Sequence, residues 1–167
     1  MRSARPAVIG LLGAFTLLGC PAHGRPRAAR PARVAATSAD ATLERQVFDL
    51  VNRQRRTLGL RALALDARIT EQARAHSAAM ADGRTPFGHE GFAERSDALK
   101  GMLRWRRTAE NVASNRGHRD PAAEAMRGWL ASRAHRENLD GPYDLTGIGV
   151  ARSRSGEVFF TQFFVGR

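Results

Sequence analysis

The sequence predicts an α+β domain, a three-layer α/β/α sandwich with a small antiparallel sheet between helices. Residues 158–165 carry most of that expectation. They alternate with apolar side chains on both sides: Val158, Phe160 and Phe164 face one way, Phe159, Phe163 and Val165 the other. A strand that is apolar on both faces has to be covered on both faces. Just upstream, residues 145–151 form a second extended run, and Ser153-Arg154-Ser155-Gly156 joins the two as a hairpin turn. Earlier in the chain lie amphipathic stretches of helical period, which can supply the two covering layers.

The elements follow in order. Residues 42–58 place Leu43, Val47, Leu50, Val51 and Leu58 at three- and four-residue spacing, with Arg45, Asp49, Arg53 and Arg56 on the other side. Gly59 ends that helix. Residues 60–65 are a short extended piece. Asp66 is an N-cap for a second helix over 67–81, striped by Ile69, Ala73, His76 and Met80. Residues 83–107 read as a loop that hides a short helix near 97–103, because a structureless loop of that length is uncommon in a compact domain. Residues 109–113 fit a short strand. Asp120-Pro121 pairs an N-cap with a first-turn proline and starts a third helix. Its inner face is Ala122, Met126, Trp129 and Leu130.

The N-terminus reads as an address. Arg2 and Arg5 precede an apolar run of 12 residues, 7–18, too short for a membrane-spanning helix and of the length of a signal-peptide core. The run ends in Leu17-Leu18-Gly19-Cys20, which resembles a bacterial lipobox. That resemblance implies cleavage before Cys20, acylation of its thiol and anchoring in a membrane by buried acyl chains. Pro21 rather than an aspartate follows it, so the outer membrane is favoured over the inner where a cell has both. The expected organisation is a lipoprotein signal peptide over 1–19, a lipidated cysteine and disordered basic linker over 20–40, and one domain over 41–167. In the linker, Val34 is the only large apolar residue, so no core can form there.

Composition narrows the function. Formal net charge is +11, and six arginines against one acid before residue 41 account for +5 of it. The remaining basic residues alternate with acids and form no stripe. Of 27 basic residues only Lys100 is a lysine, a skew that reads as genome composition. A nucleic-acid role is disfavoured by the export signal, despite the basic balance. With one cysteine there is no intrachain disulfide, and the domain must be held by its core.

An ordered set of short motifs resembles the CAP superfamily (cysteine-rich secretory, antigen five, pathogenesis-related), also called the SCP domain, in its bacterial secreted branch. The set runs Leu50-Val51-Asn52-Arg53, Ala75-His76-Ser77, Phe87-Gly88-His89, Ala109-Glu110-Asn111-Val112, Gly128-Trp129-Leu130, His135-Arg136, Leu145-Thr146-Gly147-Ile148-Gly149-Val150 and Phe160-Thr161-Gln162. The resemblance implies the same three-layer fold and a shallow cleft around two histidines and two acids. His89 and His135 match the histidines and Glu110 the first acid. The position of the second acid holds Ser132, so three of four cleft groups are present.

His89, Glu110 and His135 lie 21 and 25 residues apart, so only the fold can bring them together. Two imidazoles, a carboxylate and water would make a site open to a divalent metal such as zinc. The alternative is a polar cluster in which Glu110 orients an imidazole and Asn111 ties down backbone. His76 reads as a core histidine or as a group reaching the cleft from below, and Glu90 as a stand-in for the missing acid. Three functions follow: a non-catalytic binding module for a lipid, another amphipathic envelope component or a protein partner; a metal-dependent hydrolase of peptide or envelope polymer; and arginine-mediated adhesion to an anionic polymer.

Overall fold

The computed structural model describes residues 36–167. The signal peptide, Cys20 and the linker up to residue 35 lie outside them. In chain order the elements are α1 (Ser38–Thr57), β1 (Ala64–Leu65), α2 (Ala67–Ala81), α3 (Phe92–Lys100), β2 (Arg107–Asn115), α4 (Pro121–Ala131), α5 (Arg133–Asp140), β3 (Leu145–Arg152) and β4 (Val158–Gly166). The four strands form one sheet in the order β1-β3-β4-β2. β2 pairs with β4 and β4 with β3 in antiparallel fashion, and β1 joins β3 in parallel. The sheet is therefore mixed rather than purely antiparallel, because the extended piece before α2 adds one short parallel rung.

Helices cover both faces, as the two-faced strand requires. Val158, Phe160 and Phe164 pack with Leu43, Val47 and Val51 of α1 and with Met126 and Trp129 of α4. Phe163 and Val165 pack with Ile69 of α2 and Leu99 of α3, and Phe159 packs with Met80. Trp129 donates its indole N–H to the Val112 carbonyl at 2.9 Å, which fixes α4 against β2.

Three boundaries differ from the sequence reading. α1 starts at Ser38, inside the stretch assigned to the linker. Thr37 caps it by accepting the Asp40 N–H at 3.1 Å, and the buried Asp40 carboxylate meets Arg152 of β3 at 3.3 Å. A polar first turn is thus fixed by a partner far along the chain. The short helix expected near 97–103 lies earlier, at Phe92–Lys100, where Phe92 can lean on Phe163 with ring centroids 5.3 Å apart. The helix α5 has no counterpart in the sequence reading. Leu139 is its one fully buried residue, too little to make a helical stripe in the sequence.

Candidate functional site

The cleft is built at β2, an outer strand of the sheet, and adjacent residues there point to opposite faces. Glu110 turns toward α2 and Asn111 toward α5. Both are buried. The Asn111 amide donates to the His135 carbonyl at 3.0 Å, and its oxygen accepts from Asn138 at 2.9 Å. Asn111 therefore fixes the backbone of α5, and so the height at which His135 enters the cleft.

His89 comes from the other side, on the loop between α2 and α3. The loop passes through Gly88, whose φ of 146° suits glycine and few other residues. His76, buried on α2, donates its Nε2–H to the Gly88 carbonyl at 2.8 Å. Burial pushes the His76 pKa below the ordinary imidazole value, and nearby Arg95 and His89 push it further in that direction. The bond to Gly88 and the charge of Glu110 oppose the shift. His76 is thus a neutral, satisfied core histidine that holds the loop bearing His89.

His89 Nδ1 then lies 3.1 Å from Glu110 Oε1, and its ring is 6.3 Å from that of His135. His135 is also lowered in pKa, first by burial and then by His89. Four of the residues expected in the cleft, His76, His89, Glu110 and His135, meet there, and Asn111 supports them from the opposite face of β2. Ser132 does not join them: it caps the start of α5 and its hydroxyl bonds to none of these groups among the described residues. Nor does the Glu90 carboxylate. Glu90 is exposed and contributes its backbone carbonyl instead.

That carbonyl accepts from Arg95, a residue the sequence reading passed over. Arg95 of α3 reaches back and clamps Glu110. Its Nε lies 3.1 Å from Oε2, and its Nη2 lies 2.8 Å from both carboxylate oxygens. A third nitrogen, Nη1, donates to Glu90 O at 2.7 Å. The Glu110 side chain is 1% exposed and that of Arg95 13%, so this is a shielded, multiply bonded pair. An arginine in an arginine-rich sequence gives no local sign of such a role.

The arrangement fits a divalent metal poorly. Zinc sites use at least three protein ligands, and each must offer a free lone pair. Glu110 is already neutralised by a guanidinium, and the Nε2 of His76 is a donor to Gly88. His89 and His135 remain. Among the described residues no three histidine, cysteine or acidic side chains are disposed to hold a metal ion.

A second concavity lies elsewhere. It is a groove of about 530 Å³ between the start of α1 and the turn before α4, lined by Thr42, Gln46, His118, Asp120 and Arg152 among others. It contains none of the cleft residues. Its His118 is half-exposed and 3.8 Å from Glu124. Neither of its acidic and histidine side chains, Asp120 and His118, is buried.

The three-layer sandwich, with Glu110 of β2 beside His89 of the α2–α3 loop and His135 of α5, is of the CAP class. The comparisons agree: the family model for the cysteine-rich secretory protein family, CAP, matches residues 48–165, and the chain belongs to that family. Among curated proteins it is 32% identical over 135 residues to YkwD of Bacillus subtilis, an alignment covering 79% of this chain and 50% of that protein. It is 34% identical to the Bacillus subtilis membrane protein YlbC over 75% of this chain and 35% of that one. The chain thus spans half or less of the length of these relatives. Among solved structures, an extracellular protein containing an SCP domain from Bacillus anthracis is 28% identical with a TM-score of 0.62, covering 80% of this chain and 45% of that one. An outer surface protein of Borrelia burgdorferi shares the fold at a TM-score of 0.63 and 20% identity, over 80% of this chain and 96% of that one. No helix among the described residues is long and apolar enough to cross a membrane.

Proposed function

We propose that this protein is an exported binding module of the bacterial envelope, tethered by an acylated Cys20, whose cleft takes a small amphipathic ligand such as a lipid and performs no catalysis. One observation carries the reading. The one buried carboxylate of the cleft, Glu110, is paired with Arg95, and His76 is engaged with Gly88. His89 and His135 stay free to exchange protons, but the carboxylate beside them is held by Arg95 and is not free to act with them on a substrate. What is offered outward is hydrogen bonding from His89, whose side chain is 50% exposed, beside an apolar plate. That plate is Phe87, 56% exposed, which leans on Phe159 with ring centroids 6.4 Å apart. A polar spot next to an exposed aromatic ring matches a ligand with a polar head and an apolar tail.

The test is titration of the full-length protein with a fluorescent lysophospholipid. The expected result is saturable binding that withstands EDTA and weakens about tenfold in Phe87→Asp, since charge on an apolar contact costs about 1.4 kcal/mol or more. Release of peptide or glycan fragments, abolished by EDTA and by His89→Ala, would overturn the reading in favour of a hydrolase. Binding that vanishes in high salt would instead indicate adhesion through exposed arginines.

A further inference from the structure

We propose that Arg95 is the resident cation of the cleft: its guanidinium takes the place that a divalent metal would fill, and keeps metal out. The proposal deepens the reading of a non-catalytic cleft and rests on the Arg95–Glu110 geometry rather than on any ligand.

The argument begins with Glu110. A carboxylate whose side chain is 1% exposed needs a positive partner, because an unpaired buried charge is very costly. The charged form can be matched by two kinds of partner, a cation from solution or a cation from the chain. Here α3 supplies one. Leu99 is fully buried and Phe92 packs on Phe163, so the helix is anchored at both ends and Arg95 projects from its middle. Two of the guanidinium nitrogens reach the carboxylate, and the third reaches the Glu90 carbonyl. The clamp therefore fixes two things at once. It neutralises Glu110, and it pins the loop on which His89 sits, one residue before Glu90.

A metal ion held by His89 and His135 would find the neighbouring carboxylate, 3.1 Å from His89, already paired with this positive group. To reach Glu110 it would have to displace the guanidinium, which would leave a shielded cation unpaired. Without Glu110 it has two imidazoles, fewer than the three protein ligands of an open zinc site. Arg95 is thus a positioning and exclusion residue. With it in place the cleft presents hydrogen-bonding imidazoles and no Lewis acid.

Removing Arg95 should reverse this. Full-length protein is titrated with zinc by calorimetry and with cobalt(II) by absorption. A His89→Ala/His135→Ala variant measures, for subtraction, any metal held outside the cleft. Wild type should match that variant. Arg95→Ala should gain a stoichiometric zinc site, at least about a hundredfold tighter than any residual zinc binding by wild type, the order by which groups behind metal ligands alter affinity. Zinc should raise the melting temperature of Arg95→Ala and leave wild type unmoved. Arg95→Gln, which keeps a donor to Glu110, serves if Arg95→Ala does not fold. A zinc increment in wild type that the double histidine variant lacks would overturn the proposal, whatever the variants do. So would a folded Arg95→Ala or Arg95→Gln that binds no zinc. Zinc binding by wild type would leave lipid binding untouched, and metal-free hydrolysis would sink the non-catalytic reading while leaving Arg95 in this role.

Discussion

At the scale of single residues, His76 decides how the cleft answers to pH. Its folded pKa lies below the ordinary imidazole value, chiefly through burial. The unfolded chain therefore takes up a proton at mildly acidic pH that the folded protein refuses. Stability from this group is complete above the unfolded value and is lost as pH falls toward the folded one. His135 shifts in the same direction, so the two act together. The melting temperature should drop between about pH 7.5 and about pH 5, the range in which a histidine of ordinary pKa begins to charge. In His76→Gln, which keeps a donor for the Gly88 carbonyl and cannot titrate, the drop should be shallower. An unchanged slope in that variant would mean that the acid sensitivity arises elsewhere.

Between elements, α2 lies backbone to backbone against β3. Gly147 and Gly149 face the helix, and a Cβ at Gly149 would overlap the backbone of Ala73 and Arg74. Backbone cannot swing aside as a side chain can. Gly149→Ala should therefore cost about 3 kcal/mol, the upper part of the usual range for overpacking, as read from urea unfolding. Gly128 in α4 is the contrasting case, since nothing lies within 4 Å of where its Cβ would stand. Gly128→Ala should stabilise by up to about 1 kcal/mol, because alanine loses less backbone freedom in a helix. If both variants destabilised equally, the close approach of α2 would not be the cause.

For the whole molecule, Arg55 takes the part that a disulfide plays in many small secreted domains. It projects from the last turn of α1 and is 2% exposed. Its guanidinium donates to the carbonyls of Arg61, Leu139, Gly141 and Tyr143 at 2.7–3.3 Å. One side chain thus joins α1, the approach to β1 and the turn between α5 and β3. Arg55→Ala would leave several carbonyls without a donor, each costing about 1–3 kcal/mol when buried. The expected loss is about 3 kcal/mol or more, with Arg55→Lys losing less because one ammonium can still serve some of the four. Denaturant midpoints measure both.

Much of this was legible in the chain, because it depends on local chemistry. The alternation in 158–165 specified a strand covered on both sides, and the split of its residues between the two cores follows that alternation residue by residue. Asp66 and Asp120 marked helix starts through their own side chains, whereas Thr37 fell within the expected linker because no apolar stripe follows it at once. The ordered motifs pointed to His89, Glu110 and His135 as neighbours. What tertiary structure alone decided is where the charges go. Arg55, Arg74 and Arg95 are written like the other arginines, yet each finds partners across the fold: four carbonyls for Arg55, Glu44 at 2.5 Å for Arg74, and Glu110 for Arg95. An apolar stripe declares its burial by period, since every member faces the same core. A buried ion pair has no period, because its energy depends on a partner that only folding brings within a few ångströms. For that reason the sequence determined the architecture and the residues of the cleft, and the structure decided that the cleft's acid answers to an arginine.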